Sequence, residues 1–442
     1  MKTNLFSLLR NTAIAVVLTT PAFAQVQFSG DLPNMRNYDQ TGINVFEDPK
    51  NNDTQFDGLK LRFGAGFTQS FQGLKHETAS TVPLFKLTEG FNTASANLYM
   101  DALLADGIRL NVTSYLSSRH HNETWVKGGF IQFDKLPFKG KIWDDIMKVT
   151  TIKIGHTEIN YGDQHFRRSD GGNTIYNPFV ENYIMDGFAT EIGGEVYVKQ
   201  NNFILMVGAS NGMINGNVAE VVANGTSVLE GNDKKSPSVY GKIAYDKQLE
   251  QGLRVRLAGS VYHNGNSGRN TLYAGDRTGS NYFMVMDPAT IAGGAAATYA
   301  NSYSSGRFNP NFSNKITAAQ FNAFLKYEGA ELFGTYEIAN GRSSAETEER
   351  DATQIAIEGV YRIGTKENVF LGARYNTVKA ELAGLANDVN IDRVSIGAGW
   401  FLTKNILLKG EYVTQKYKDF APADVRSGGK FNGYVIQAVV GF

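Results

Sequence analysis

The chain has 442 residues, 43 Lys and Arg against 43 Asp and Glu, and no Cys. That balance argues against nucleic acid as a partner, and the missing Cys removes disulfide frameworks and thiolate metal sites together. Beyond the first residues, no run of about 18 apolar side chains offers a membrane-spanning helix.

The first 24 residues read as a cleavable export signal. Lys2 and Arg10 give a positive start, Ala13 to Leu18 is a short apolar run, and Pro21-Ala22-Phe23-Ala24 ends in small-x-small before Gln25. Removal after Ala24 is expected, and the apolar run is shorter than the roughly 20 residues that a spanning helix needs. No Cys follows, so a lipoprotein anchor is not expected. Losing Lys2 and Arg10 takes Lys and Arg from 43 to 41 against 43 acidic residues, a formal charge of −2.

Residues 25–58 form a polar extension with Pro33, Tyr38 and Gly42 and no clear periodicity. It is compatible with a course along a lumen, a periplasmic extension or an oligomer contact. From residue 59 the pattern changes to period-2 alternation, the signature of strands with one apolar and one polar face. Leu59, Leu61, Phe63, Ala65 and Phe67 alternate with Lys60, Arg62, Gly64, Gly66 and Thr68. Sixteen such segments are expected, near 59–73, 91–105, 107–121, 123–134, 149–160, 188–200, 202–211 and 237–248, then 252–264, 317–329, 330–340, 352–364, 368–380, 391–403, 405–418 and 430–442.

The connections alternate in length. Short ones lie at Ala105-Asp106-Gly107, Gln200-Asn201-Asn202, Gly329-Ala330, Gly364 to Glu367 and Lys404-Asn405, with the Gly, Asn and Asp that hairpins favour. Long ones cover 74–90, 161–187, 212–236, 265–316, 341–351, 381–390 and 419–429. The connection 135–148 is long on the short-turn side, and Trp143 to Lys148 reads as a helical turn. An even strand number with short turns at one end and long loops at the other predicts an all-β fold, a transmembrane antiparallel up-and-down barrel spanning 59–442. A soluble sandwich also alternates but lacks this sidedness. In the last segment Tyr434, Ile436, Ala438, Val440 and the terminal Phe442 share a face, similar to the signal that outer-membrane proteins present to their insertion machinery.

On this architecture the chain resembles the outer-membrane porin superfamily, general and substrate-selective members alike, over roughly residues 59–442. The resemblance implies location in a bacterial outer membrane after export through the periplasm, contact with lipid and lipopolysaccharide, and a homotrimer. It implies passive diffusion of small hydrophilic solutes or ions, with no catalytic residues and no cofactor. In these porins the third long loop folds inward and narrows the pore. Here that position holds residues 161–187, without the family's PEFGG-type tip, and its candidate constriction residues are Asp163, His165, Arg167, Arg168, Asp170 and Glu181.

Alternation assigns the inward side chains, since Arg or Lys facing lipid at mid-bilayer costs about 2–4 kcal/mol. The pore-lining set is Lys60, Arg62, Arg109, Lys242, Arg254, Arg256, Arg374, Arg393 and Lys409 with Asp101, Glu191, Glu195, Glu358 and Glu411. Closing the barrel joins Arg374, Arg393, Lys409, Lys60, Arg62 and Arg109 into a basic arc. The inward loop would face it with Asp163, Asp170, Glu181 and Asp186 across a narrow waist, and the basic surplus suggests weak anion preference. The alternative is that most of these charges simply keep the lumen wet, with Arg167 and Arg168 the stronger candidates for a constriction role than any single wall residue.

Other features carry less. His120-His121 point to opposite faces of a strand. His156 and Glu158 share a face but are two ligands only, so no metal is expected. Phe63, Phe67, Tyr361, Tyr375, Trp400 and Tyr434 read as lipid-facing girdle residues rather than a sugar track, and Lys234-Lys235 as a solvated pair. Rival functions are a hydrophobic-compound channel or plugged substrate-specific channel, with 25–58 as hatch, and an outer-membrane hydrolase. The first lacks the Asn-Pro-Ala hatch motif, the last shows neither G-x-S-x-G nor H-E-x-x-H, and the extension is too short for the plug domain of a TonB-dependent receptor.

Overall fold

The computed structural model describes residues 27–442 apart from 51–54, 118–122, 170, 213–234, 251, 277 and 292–293. The export signal, His120-His121, Asp170 and Lys234 therefore lie outside the described residues. In chain order the strands are β1 (Gln27–Phe28), β2 (Lys60–Glu77), β3 (Gly90–Phe91), β4 (Ser95–Ala105), β5 (Ile108–Leu116), β6 (Trp125–Phe133), β7 (Thr150–Glu158), β8 (Thr190–Gln200) and β9 (Phe203–Ser210). They continue with β10 (Ser238–Glu250), β11 (Leu253–Asn264), β12 (Lys315–Tyr327), β13 (Ala330–Arg342), β14 (Arg350–Ile363), β15 (Val369–Ala380), β16 (Val389–Thr403), β17 (Ile406–Lys418) and β18 (Lys430–Gly441). A seven-residue helix, α1 (Lys141–Met147), occupies the connection between β6 and β7 where a helical turn was expected.

Apart from the two-residue β1 and β3, sixteen strands form one antiparallel ring. Each pairs with its neighbours in sequence, and β18 pairs with β2, from Lys430 opposite Glu77 to Gly441 opposite Gly66. This closes the barrel and leaves no free edge, the usual liability of a sheet. At the seam, Ala65 and Phe442 exchange backbone hydrogen bonds of 2.9 and 3.0 Å. Below it β1 pairs in parallel with the start of β2, Gln27 opposite Lys60 and Phe28 opposite Leu61, covering the stretch that β18 does not reach.

The alternation is clearest on the strands β12 to β17. On β14 the odd-man pattern is plain: Gln354, Glu358 and Arg362 are buried inside while Ile355, Ile357, Tyr361 and Ile363 face out. The ambiguous Phe203–Val207 stretch resolves the same way, with Phe203, Leu205 and Val207 outward and Met206 buried. Phe63, Phe67, Tyr361, Tyr375, Trp400 and Tyr434 all lie on the outer face. Polar side chains therefore concentrate in the interior, the reverse of a soluble protein, as an apolar surrounding medium demands.

Candidate functional site

Residues 159–189, between β7 and β8, run inside the barrel. Their apolar content explains the burial: Ile175, Phe179, Val180, Ile184 and Met185 are at most 2% exposed. An irregular segment buried this way must find partners for its backbone polar groups. The wall provides them. The N–H groups of Asp163, Val180, Ile184 and Met185 donate to Asn322, Glu411, Asn376 and Gln354 at 2.7–2.9 Å. The Lys409 ammonium donates to the carbonyls of Thr174, Asn177 and Phe179, each at 2.8 Å. Near the seam Gly172 touches Gly66 so closely that a Cβ on Gly66 would sit 2.4 Å from the Gly172 oxygen.

Ion pairs fix the same loop. Arg256 on β11 grips Asp163 with two hydrogen bonds of 2.7 and 2.8 Å, and Lys242 on β10 reaches the same carboxylate at 2.7 Å. Arg167 lies 3.5 Å from both Glu331 and Glu358, and Arg374 pairs with Glu358 at 2.8 Å. Above, the connection 265–314 also turns inward. Arg307 pairs with Glu181 at 2.8 Å, Arg168 bridges Asp186 and Asp276, and Tyr273 and Tyr161 both donate to Glu337. Phe308 N–H donates to the Ile184 carbonyl at 2.7 Å, stacking one inward segment on the other.

At the short-turn end the N-terminal segment enters the barrel. Tyr38 stacks on Tyr99 with ring centroids 3.8 Å apart, and its hydroxyl donates to Asp101 at 2.9 Å. Arg36 lies over Tyr176, 3.7 Å from the ring centre, and donates to the Phe166 carbonyl at 3.0 Å. Glu47 meets Arg256 at 2.8 Å and Lys242 at 3.2 Å, Asp48 meets Lys153 at 3.4 Å, and Lys50 donates to the Thr150 carbonyl at 2.7 Å.

Among the described residues a cavity of about 230 Å³ lies under the N-terminal half of the wall, and another of about 230 Å³ lies within the connection 265–314, between Asp186, Asn270, Tyr273, Arg307 and Phe312. The first is the one that the strands border. Its wall is Arg62 of β2 with inward side chains of β4 to β8, and its floor and opposite face are the N-terminal segment and the inward loop. Asn111, Thr113, Phe130, Thr157 and Glu158 also border a neighbouring cavity of about 130 Å³, lined further by Lys127, His156 and Thr190 and nearer the long-loop end.

No protein-family model matches the chain, and no curated protein matches its sequence. Among solved structures, an anion-selective porin from Comamonas acidovorans aligns with a TM-score of 0.52 at 10% identity, over 87% of this chain and 100% of that one. This is the porin fold. A loop-deleted form of OmpT, an outer membrane protein of Vibrio cholerae, aligns at 12% identity with a TM-score of 0.49, over 87% of this chain and 100% of that one. Salmonella typhi OmpF aligns at 11% identity with a TM-score of 0.47, over 87% and 98%.

Within this porin fold the sequence-derived residues separate into two groups. His165, which accepts or donates at Glu158 (2.7 Å) and Asn160 (3.0 Å), borders the open cavity together with Arg62, Arg168 and Glu195. Asp163, Arg167, Glu181, Arg256, Glu358, Arg374, Arg393 and Lys409 are buried in contacts between wall and loops. Asp101 is buried against Arg62 at 2.8 Å, and Arg109 against Asp134. Glu191 accepts from Tyr262 at 2.7 Å, Arg254 pairs with Asp246 at 2.6 Å, and Lys60 pairs with Asp57 at the rim.

The basic arc thus differs from its expected form. Arg374, Arg393 and Lys409 do not face acids across water, because the inward segments lie directly on them and accept their hydrogen bonds; Arg393 donates to the carbonyls of Asn182 in the loop and Gly306 in the connection 265–314 at 2.6 and 2.7 Å. Asp163 turns to β10 and β11, while Glu181 and Asp186 turn to Arg307 and Arg168. Among the described residues no cluster of three or more His, Asp or Glu could hold a metal, and His156 and Glu158 border the cavity. The pattern also contained Lys153 and Lys199, which share inward parity with Thr151 and Tyr197 and line the cavity. Arg36, Tyr38, Glu47 and Asp48 carry no local signal, since each acquires its place from residues distant in sequence.

Proposed function

We infer that this chain is an outer-membrane diffusion channel for small hydrophilic solutes, with residues 161–187 as its constriction and a weak preference for anions. One observation carries the reading: the inward loop leaves two neighbouring polar cavities with shared walls along β4 to β8 instead of filling the ring. Arg36, Arg62, Lys153, Arg168, Lys199 and His165 border the larger cavity against Glu47, Asp48, Glu158 and Glu195, and a small basic excess in a narrow aqueous passage favours anions. The fold shared with the anion-selective Comamonas porin agrees in direction. Asp163, His165, Arg167, Arg168 and Glu181 act here in two ways. His165 and Arg168 border the path, and the others hold the loop that shapes it.

In this reading the chain is exported with loss of residues 1–24, inserts through recognition of the strand ending at Phe442, and works as a homotrimer bathed in lipid and lipopolysaccharide. It performs no catalysis. Because the N-terminal segment and the connection 265–314 both enter the barrel, a second reading is a substrate-specific channel whose ends are partly closed. Conductance of the refolded chain in a planar bilayer, with reversal potential in a salt gradient, tests both. Stable unit steps with reversal on the anion side support the diffusion channel. Folded protein without steps removes it and leaves the closed form.

A further inference from the structure

Residues 36–50 bring two adjacent carboxylates into the lumen, and each is met by cations of the wall. Glu47 lies between Arg256 (2.8 Å) and Lys242 (3.2 Å) and accepts from the Asn160 amide at 3.1 Å. Asp48 faces Lys153 at 3.4 Å, and its carbonyl accepts from Lys199. The fixed acids of this neighbourhood are fewer than its cations. Asp163 lies 2.7 Å from both Arg256 and Lys242, Asp246 divides itself between Arg254 (2.6 Å) and Arg256 (3.2 Å), and Glu195 accepts from Tyr197 and from the Asn160 N–H. Without Glu47 and Asp48, two carboxylates, Asp163 and Asp246, would remain against the four cations Lys153, Lys199, Lys242 and Arg256.

We propose that Glu47 and Asp48 are a tethered occupant of an anion-binding site formed by Lys153, Lys199, Lys242 and Arg256, and that small dianionic solutes compete with them for it. This rests on the channel reading above and names its solute class. A tethered group acts at an effective concentration in the millimolar range, so a free dianion at millimolar levels is a realistic competitor. Arg256 supplies the planar fork suited to a carboxylate or phosphate, while the lysines act as point charges, Lys153 and Lys199 over the Tyr197 ring and Lys242 over that of Phe166. Displacement frees the segment from the lumen, so the solute that binds also widens its own path.

The test uses the full-length refolded protein, with inorganic phosphate and succinate as probes and chloride as reference. Glu47→Gln with Asp48→Asn is expected to raise dianion permeability relative to chloride several-fold, and adding Lys153→Gln and Lys199→Gln to return it to the original level. A gain with succinate alone assigns the site to dicarboxylates, and a gain with both probes assigns it to small dianions generally. Unchanged ratios with both overturn the proposal. Amide exchange on the unmodified protein gives an independent readout that needs no variant: succinate or phosphate should speed exchange over residues 36–48, and no change with either also overturns it. Chloride conductance of the unmodified protein reports the channel reading separately, so the two failures are distinguishable.

Discussion

Two halves of the same barrel wall put similar side chains to different uses. Along β10 to β18 the inward polar groups are dry: Lys409, Glu411, Asn376, Gln354 and Arg393 each hold a backbone group of an inward segment. Along β4 to β8 the inward groups Asn111, Thr113, Lys153, Thr157 and Lys199 border open space. One half is a scaffold that fastens a loop, and the other borders the space that the loop leaves. Polar lining is therefore not evidence of wetness. A buried polar side chain in a barrel is as readily a hydrogen-bonding partner for irregular backbone as a contact for solute.

The largest effect should come from the dry half. Lys409→Met strands three buried carbonyls, at about 1–3 kcal/mol each by the usual cost of an unpaired buried polar group. We expect a lower thermal midpoint and a larger, noisier conductance as the loop loosens. Unchanged melting and unchanged steps would break the distinction between the halves. On the wet half, Lys153→Gln should do the opposite, shifting the reversal potential toward cations while the melting midpoint moves little.

A smaller disturbance comes from Gly66→Ala, whose Cβ would meet the Gly172 carbonyl at 2.4 Å. Backbone on both sides cannot yield as a flexible side chain does, so the loop tip must shift. Conductance should change measurably, with a milder loss of stability than Lys409→Met causes. A variant indistinguishable from the parent would show that the loop does not rest on β2.

The smallest effect concerns pH and the long-loop end. Burial, against hydrogen bonds from Ser305 and Ser302, pushes the Asp287 carboxyl up to about 6. Its neutral form is the one that the packed connection 265–314 favours. That contribution is complete below the ordinary value of 3.8 and fades as pH rises through about 6. Glu346 behaves oppositely. Despite burial, hydrogen bonds from Arg350 and Ser343 hold it at about 2, so its contribution is complete above 4.5 and fades as pH falls toward 2. Raising the pH from about 4 to about 7 should therefore cost the parent protein more stability than it costs Asp287→Asn. Equal losses would remove Asp287 from the account.

The strands were legible because alternation is enforced at every position by the contrast between an apolar exterior and a polar interior. Even Phe203–Val207, apolar on both faces, fell into register once its neighbours were fixed. The division of the interior was not legible. Lys153 and Lys409 have the same parity and chemistry, and only the path of the loop separates them. The connection 265–314, rich in Gly, Ser and Ala, reads as an external loop, yet Leu272, Tyr282 and Val285 are at most 1% exposed. Its sparse apolar residues suffice because the barrel already encloses them. The N-terminal segment lacks periodicity since its order is wholly tertiary, as in the contact of Tyr38 with Asp101 and of Glu47 with Arg256.

The absence of Cys from the chain allows the most direct test of the two-sided interior. Single cysteines would be placed at Thr113, in the open half, and at Asn376, under the loop. Each variant would be treated with a charged thiol-reactive reagent while single channels are recorded. The account predicts rapid modification and a stepwise fall in conductance at position 113, with position 376 unreactive. Equal reaction at both positions, or reaction at 376 alone, would contradict it.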